Sequence, residues 1–231
     1  TWTVTGATNV TGAANGSGAT ISQVLTSTDG INSGTVTYQI TPTANGCSGT
    51  PVSVTVTVNP SPSITNAPSS LTTTICSNTA LSFTASTSIA STLNWTSVIS
   101  SGTATGVTAS GTGAITDTPV NTGITNAVIT YTITPVAGGC TGTPVNYVVT
   151  VRPTPDASAS NQTICSGQSS SVAITNPNAV SGTTFTWTVT GATNVTGAAN
   201  GSGATISQVL TSTDGINPGT VTYQITPTAN G

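Results

Sequence analysis

The amino-acid sequence predicts an all-β protein built of tandem β-sandwich modules of about 92 residues, stacked head to tail. Three observations predict this class. Threonine alternates with valine or isoleucine along much of the chain, and this period-2 pattern is typical of half-buried strands. Glycine, asparagine and proline interrupt the alternating runs at short intervals, as turns do. Long blocks of sequence recur at a fixed spacing, which indicates an array of similar modules.

Two blocks at the ends of the chain are nearly identical. Residues 1–46 recur at 186–231, 185 residues later, and the single difference is Ser33 against Pro218. A weaker copy lies halfway between them, so that tryptophan recurs after 93 and again after 92 residues. The unit is therefore about 92 residues long, and two alternating types make one super-repeat.

Paired prolines mark the unit boundaries, at 60 and 62 and again at 153 and 155. Proline lacks a backbone N–H and favours extended chain, so such pairs suit short, stiff linkers. They divide the chain into a first repeat (1–59), the C-terminal part of a module, a complete middle repeat (60–152) and a last repeat (153–231) that lacks its final strand. We expect the chain to be an internal slice of a longer array, because it starts without methionine inside a strand pattern.

Within the middle repeat the alternation predicts five strands, near 70–76, 80–86, 92–98, 127–134 and 144–151. The glycine- and threonine-rich stretch 103–119 gives no clear pattern, and no segment shows helical periodicity. Several short strands with turn residues between them, in about 92 residues, favour an immunoglobulin-like sandwich. The densest apolar stretch, 145–151, is far shorter than the ~20 residues of a membrane helix.

Charged residues make up only 2% of the chain, which has one Arg, four Asp and no Lys, His or Glu. The usual general acids and bases are therefore missing, so the sequence predicts no enzyme. A single Arg cannot neutralise the phosphates of a nucleic acid. Calcium prefers several carboxylates, whereas Asp29 and Asp214 lie in Asp-Gly turns and Asp117 and Asp156 are isolated. We therefore expect no metal and no cofactor.

Two motifs carry a family resemblance. Residues 74–77 (TICS) return at 163–166, and residues 131–145 (YTITPVAGGCTGTPV) match 38–52 closely. With the tryptophan strand between them, these motifs resemble PKD-like/Ig-like repeats of Bacteroidota surface proteins, above all giant gliding-motility adhesins of the SprB type. The resemblance implies an outer-surface protein exported by type IX secretion, with long filaments of tandem β-sandwich modules.

Four cysteines in an extracellular chain favour disulfides. Cys76 and Cys165 follow the first strand of a module, whereas Cys47 and Cys140 lie in its last hairpin. These turns lie at opposite ends of an Ig-like sandwich, where a ~10-residue strand spans ~33 Å and a disulfide needs Cα atoms within ~7 Å. We therefore expect bonds between adjacent modules, with Cys76 bonded to a cysteine after residue 231 and Cys140 to one before residue 1. The alternative is a Cys76–Cys140 bond within one module.

Aromatic residues return at the same place in each unit, and the Ig-like fold predicts them in the core. The predicted core aromatics are Trp2, Trp95, Trp187, Tyr38, Tyr131 and Tyr223. The alternative is that the tryptophans stack on sugars. Arg152 lies in a linker, where contact with the neighbouring module is its expected role.

The sequence and the resemblance together favour a mechanical function. The array would be the stalk or filament of a giant adhesin on the bacterial cell surface, acting in gliding motility and attachment. Its partners would be neighbouring repeats of the same chain and extracellular surfaces or polysaccharides. The alternative is a polysaccharide-binding PKD-like module of a secreted protein. A third variant, polymerisation of separate subunits by strand exchange, is less favoured because the chain ends suit a cut through a long repeat.

Overall fold

The structure, a computed structural model, describes residues 1–229 and confirms the all-β prediction. Within this range the only helix is the 3-10 turn Pro68–Leu71, and every other regular element is a strand. Three hydrophobic clusters form the core, one in each repeat. Each cluster collects alternate residues of neighbouring strands, as the period-2 pattern requires.

Strands alternate with glycine-, asparagine- and proline-containing turns in each repeat. The first repeat contains β1 (Trp2–Thr8), β2 (Val10–Thr11), β3 (Thr26–Ser27), β4 (Gly34–Ile40), β5 (Thr43–Ala44), β6 (Cys47–Ser48) and β7 (Val52–Val58). The middle repeat contains β8 (Thr72–Cys76), β9 (Thr92–Ser101), β10 (Ala104–Thr105), β11 (Ser110–Thr112), β12 (Val120–Asn121), β13 (Ala127–Ala137), β14 (Cys140–Thr141) and β15 (Val145–Arg152). The last repeat contains β16 (Ser158–Ala159), β17 (Gln168–Ser169), β18 (Val172–Thr175), β19 (Thr184–Thr193), β20 (Val195–Thr196), β21 (Gly201–Ser202), β22 (Thr205–Ile206), β23 (Val209–Ser212) and β24 (Thr220–Thr228).

The main sheet of the middle repeat has the order β11-β9-β13-β15-β8, with β14 paired to the end of β13. β13 runs antiparallel to both β9 and β15, whereas β15 runs parallel to β8. Alternate residues of β13 and β15 turn inward, and Ile129, Tyr131, Val149 and Val151 are fully buried. The threonines between them face outward, so the alternation in the sequence fixes the core face of this sheet.

The second layer of the middle repeat is less regular. β10 pairs with β12, and isolated bridges join Phe83 to Ile115 and Ile64 to Thr87. The strand predicted over 80–86 is wrong as a regular strand, since this segment is extended but makes only scattered backbone hydrogen bonds, to residues 115–117 and, at Ser86, to Thr65. Its partner segment is short because Gly113, with a φ of 74°, and Pro119, without an N–H donor, bound it.

The first and last repeats form sheets of the same kind. β4 lies between β1 and β7 in the first repeat, and β19 lies between β21 and β24 in the last. β24 repeats the sequence of β4, yet Val36 and Tyr38 are buried while Val221 and Tyr223 are only half-buried. The difference arises because β7 pairs with β4, whereas no described strand pairs with the other edge of β24.

Candidate functional site

Asn59, the last residue of the first repeat, contacts both sides of the junction with the middle repeat. Its Nδ2 donates a hydrogen bond to the backbone oxygen of Gly138 (3.1 Å), in the last hairpin of the middle repeat. Its Oδ1 accepts one from Oγ of Ser33 (2.9 Å), in the first repeat. One side chain therefore ties the two repeats together, and Ser33 is the one position at which the near-identical blocks differ.

The linker prolines pack into the middle repeat. Pro60 and Pro62 are buried, and Pro62 is among the most completely buried residues. Gly142, in the last hairpin, lies so close to the backbone oxygen of Pro62 that a Cβ on this glycine would overlap it. The linker is therefore held against the hairpin and does not act as a free spacer.

The other end of the middle repeat is held by hydrogen bonds to backbone oxygens. The N–H of Ser77 donates to the oxygen of Arg152 (2.8 Å), and the buried Nδ2 of Asn121 donates to the oxygen of Val151 (2.7 Å). Across the junction, the N–H of Ser181 in the last repeat donates to the oxygen of Ile124 (3.3 Å). Both ends of the middle repeat thus contact the adjoining repeat through hydrogen bonds.

The cysteines lie near these ends. Cys76 ends β8 directly opposite Arg152, and Sγ of Cys140 lies 3.9 Å from the backbone oxygen of Asn59. The whole of β15 separates Cys76 from Cys140, about 23 Å at ~3.3 Å per residue, so a bond within the middle repeat is geometrically excluded. Cys47, Cys76 and Cys165 are exposed, Cys140 is half-buried, and all four are free thiols.

Each tryptophan packs over a glycine of a neighbouring segment, which is a strand in the middle and last repeats and an isolated bridge in the first. Trp2, Trp95 and Trp187 are only 8%, 7% and 6% exposed. Facing them are Gly16, Gly111 and Gly201, where an added Cβ would overlap the indole ring in every case. In the middle repeat Trp95 also meets Tyr131 edge-on, with ring centroids 5.7 Å apart, and Phe83 stacks on Tyr147 at 3.9 Å. Buried indoles of this kind have no face available for stacking on a sugar.

The hydroxyl of one tyrosine in each repeat bonds to a polar side chain. Tyr131 donates to Oδ2 of Asp117 (2.7 Å), which also accepts from Thr108. Tyr38 donates to Oε1 of Gln23 (2.7 Å), and Tyr223 makes the same bond to the corresponding glutamine of the last repeat (2.6 Å). Burial, with the adjacent carboxylate of Asp117, raises the pKa of Tyr131.

The remaining acidic residues act in turns. Asp29 accepts hydrogen bonds from Asn32 and Ile31, and the bond from the Asn32 side chain lowers its pKa. Asp214 does the same with Asn217 and Ile216. No group of three or more potential metal ligands occurs among residues 1–229. The arrangement serves loop geometry, as the Asp-Gly sequences predicted.

All three repeats of the chain match one known protein family. The profile of the PKD-like domain matches residues 1–62, 73–155 and 162–231, which together make up most of the chain. The chain belongs to the PKD-like domain family. A search among curated proteins gives no match.

PKD-like β-sandwiches are a non-catalytic fold type that is typical of extracellular proteins, and they suggest a structural or adhesion-type module. In the described part of the chain, no helix is both long and apolar enough to cross a membrane.

Sequence reasoning missed several of these contacts. Asp117 was predicted to be isolated, yet it accepts hydrogen bonds from Tyr131 and Thr108. The glycine beneath each tryptophan was also not predicted, although a glycine 14 to 16 residues after each tryptophan was a usable signal. The importance of Ser33 was visible only as the single difference between the two copies.

We predict that Gly111→Ala destabilises the middle repeat by about 1–3 kcal/mol, because the new methyl group must displace the Trp95 ring in a packed core. Urea unfolding followed by tryptophan fluorescence measures the change. Gly6→Ala is the matched control, since a Cβ there meets nothing within 4 Å, and we expect a change within about 0.5 kcal/mol. Equal effects of the two substitutions would show that the Trp–Gly contact contributes nothing.

We predict that Tyr131→Phe lowers the free energy of unfolding at pH 7 by about 1.5–3 kcal/mol, because a hydrogen bond to a charged acceptor is lost. Tyr38→Phe, which loses a bond to the neutral Gln23, serves as the control and should cost about 0.5–1.5 kcal/mol. The raised pKa of Tyr131 stabilises the fold below about pH 10, the tyrosine pKa of the unfolded chain, and this contribution is lost as the pH rises further. Denaturant titrations from pH 8 to 12 should therefore show a flatter alkaline decline for Tyr131→Phe, and an unchanged decline would contradict this account.

Proposed function

We propose that this chain of PKD-like modules is part of the stalk or filament of a giant adhesin on a bacterial cell surface, of the gliding-motility type exported by type IX secretion. The observation that carries the proposal is the junction at Asn59. A filament that transmits force needs repeats that cannot hinge freely. The hydrogen bonds of Asn59 to both repeats, together with the buried linker prolines, restrict such a hinge.

The junction contacts are individually modest but act together. A neutral hydrogen bond contributes about 0.5–1.5 kcal/mol, so the two bonds of Asn59 bias the junction without making it rigid by themselves. The buried linker adds a steric limit, because Pro62 and Gly142 leave no space between them. Repetition of such a junction along a filament would give a rod in which bending between neighbouring repeats is restricted but not abolished.

The surface chemistry also supports a mechanical function. Outward-facing hydroxyls bond to each other across strands, for example Thr37 to Thr55 (3.2 Å) and Ser100 to Thr130 (3.0 Å). Such rows satisfy polar groups without charge, so a long array does not accumulate a large electrostatic field. Its properties should therefore depend little on salt. The buried tryptophans give no support to polysaccharide stacking.

The proposal is tested by small-angle scattering of the 231-residue chain. A compact globule of this length would have a radius of gyration of about 17 Å. Three sandwiches in line, each about 33 Å long, make a rod of about 100 Å with a radius of gyration near 29 Å. A value close to that of the compact globule would overturn the stalk proposal.

The junction itself is tested by Ser33→Pro, which removes the hydroxyl donor to Asn59. The backbone should accept the change, because proline occupies the matching position 218 in an otherwise identical block. We expect the first repeat to tumble faster relative to the middle repeat, as measured by NMR relaxation. Pro218→Ser is the matched control and should leave the tumbling of the first repeat unchanged. If the first repeat already tumbles independently in the unmodified chain, Asn59 does not restrict the hinge.

We further propose that the cysteines brace adjacent modules of the filament through disulfides. Support comes from the positions of Cys76 and Cys140 at opposite ends of the middle repeat, each beside a junction. On oxidation of the natural protein from which this chain comes, non-reducing peptide mapping should link Cys76 and Cys140 to cysteines of neighbouring modules. A peptide that links Cys76 to Cys140 within one molecule would contradict the brace, and reduced thiols throughout the secreted protein would also contradict it.

A further inference from the structure

The dipeptide Asn-Gly occurs at residues 15–16, 45–46 and 200–201 of the described chain. In this dipeptide the side-chain amide of asparagine is unusually open to attack by the backbone nitrogen of the next residue, because glycine has no side chain to hinder the approach. The three copies lie in two different environments. The same chemistry can therefore be compared at three places in one folded molecule.

The copy at Asn15 is restrained on both sides of the reacting bond. Oδ1 of Asn15 accepts a hydrogen bond from the N–H of Val4 (2.7 Å), and the N–H of Gly16 donates to the backbone oxygen of Trp2 (3.0 Å). Gly16 also lies directly against the indole ring of Trp2. The two groups that would have to react with each other are therefore both held by other partners.

The copy in the last repeat is restrained in the same way. Oδ1 of Asn200 accepts a hydrogen bond from the N–H of Val189 (2.8 Å), and Gly201 pairs with Trp187 in the ladder of β19 and β21. A Cβ on Gly201 would overlap the ring of Trp187. Two separate parts of the chain thus hold this dipeptide with the same contacts.

The third copy, Asn45-Gly46, forms the loop of the hairpin between β5 and β6. Ala44 pairs with Cys47, so two residues make the turn. The φ angle is positive at both, 49° at Asn45 and 82° at Gly46, as in a type I′ turn. The flanking residues make the ladder bonds of such a turn, which leaves the N–H of Gly46 outside the ladder.

The reacting groups of this third copy are unrestrained. Asn45 and Gly46 are both exposed. No described residue forms a hydrogen bond with the Asn45 side chain or with the Gly46 N–H. A Cβ on Gly46 would meet no atom within 4 Å, so the space beside the backbone nitrogen is open.

We propose that Asn45 is a site of spontaneous deamidation, and that the fold protects Asn15 and Asn200 from the same reaction. The backbone nitrogen of Gly46 loses its proton and forms a bond to Cγ of Asn45. The Cγ–Nδ2 bond breaks, and Nδ2 takes up a proton and leaves as ammonia. The product is a five-membered succinimide ring. Water then opens the ring at either carbonyl carbon and yields aspartate or isoaspartate.

The reaction changes the charge and the backbone of this hairpin. One added carboxylate takes the formal net charge of the chain from −3 to −4, in a sequence with only 2% charged residues. Isoaspartate also adds one methylene group to the backbone, which a two-residue turn does not accommodate, so the pairing of β5 with β6 is lost. This inference does not depend on the stalk function, since it concerns the chemistry of one turn.

The middle repeat does not carry this site. Its last hairpin has Gly138-Gly139 at the place of Asn45-Gly46, and a glycine has no side-chain amide to react. The modification is therefore confined to the first of these two hairpins. The Gly-Gly turn also shows which substitution at residue 45 the hairpin accepts.

The test is peptide mapping by mass spectrometry of the folded 231-residue chain during incubation at mildly alkaline pH, with reductant present. After cleavage at aromatic residues, the peptides of the two near-identical blocks differ in mass at Ser33 and Pro218. We expect Asn45 to convert within about threefold of its rate in the urea-unfolded chain, because an exposed loop needs almost no free energy to open. Asn15 and Asn200 should convert at least about tenfold more slowly, because their hydrogen bonds must first break.

Two controls separate the effect of the fold from that of the local sequence. In urea all three dipeptides should convert at rates within about threefold of one another, because the protecting contacts are lost. Asn45→Gly, which copies the Gly-Gly turn of the middle repeat, should fold and should remove the early acidic product seen by anion exchange. An Asn45 that stays unmodified in the folded chain but converts in urea would overturn the proposal. Conversion of Asn15 or Asn200 as fast as Asn45 in the folded chain, or unequal rates in urea, would also overturn it.

Discussion

The rest of the sandwich depends on one constraint: β13, the central strand of the main sheet, needs a paired strand on each side, β9 on one and β15 on the other. In the middle repeat β15 bonds to β13 along one edge and to β8 along the other. Its inward residues Tyr147, Val149 and Val151 complete the core, and residues 72–76 become a strand only because β15 lies beside them. Where no described strand takes this place, residues 161–165 remain irregular and the core side of β24 stays half-open. In this fold, the strand that completes the backbone pairing of the sheet therefore also completes the hydrophobic core.

A chain with almost no charge must satisfy its polar groups by other means. Threonine and serine hydroxyls bond to each other and to backbone oxygens on the outer faces, while single amides and carboxylates hold the interior contacts. The acceptor of the buried tyrosine hydroxyl differs between repeats: it is the carboxylate of Asp117 in the middle repeat and a glutamine side chain in the other two. At the junction, the single side-chain amide of Asn59 makes a hydrogen bond to each of two repeats. This chemistry explains how so polar a surface remains nearly neutral.

Local pattern was enough to predict several elements. The threonine–valine alternation located β8, β9, β13 and β15, which the structure forms at nearly the predicted positions. It failed over 80–86, where an equally alternating segment forms only bridges because glycine and proline bound its partner. The pairing of Asp117 with Tyr131 could not be predicted, since 14 residues separate them along the chain and nothing in the sequence marks them as partners. The requirement for glycine under Trp95 could not be predicted either. It becomes apparent only when the position of the indole ring is known, because a Cβ at that glycine would overlap the ring.

The sequence by itself determined the all-β class, the repeat length, the core face of the main strands and the absence of the usual catalytic groups, because each of these follows from residue type and spacing along the chain. The tertiary structure alone decided which of these faces are covered. Residues 34–40 and 219–225 are identical in sequence, yet Tyr38 is buried and Tyr223 is half-buried. The burial of a residue depends on the strand that lies beside it as much as on the residue type. Which strand lies there depends on contacts between segments far apart in the chain.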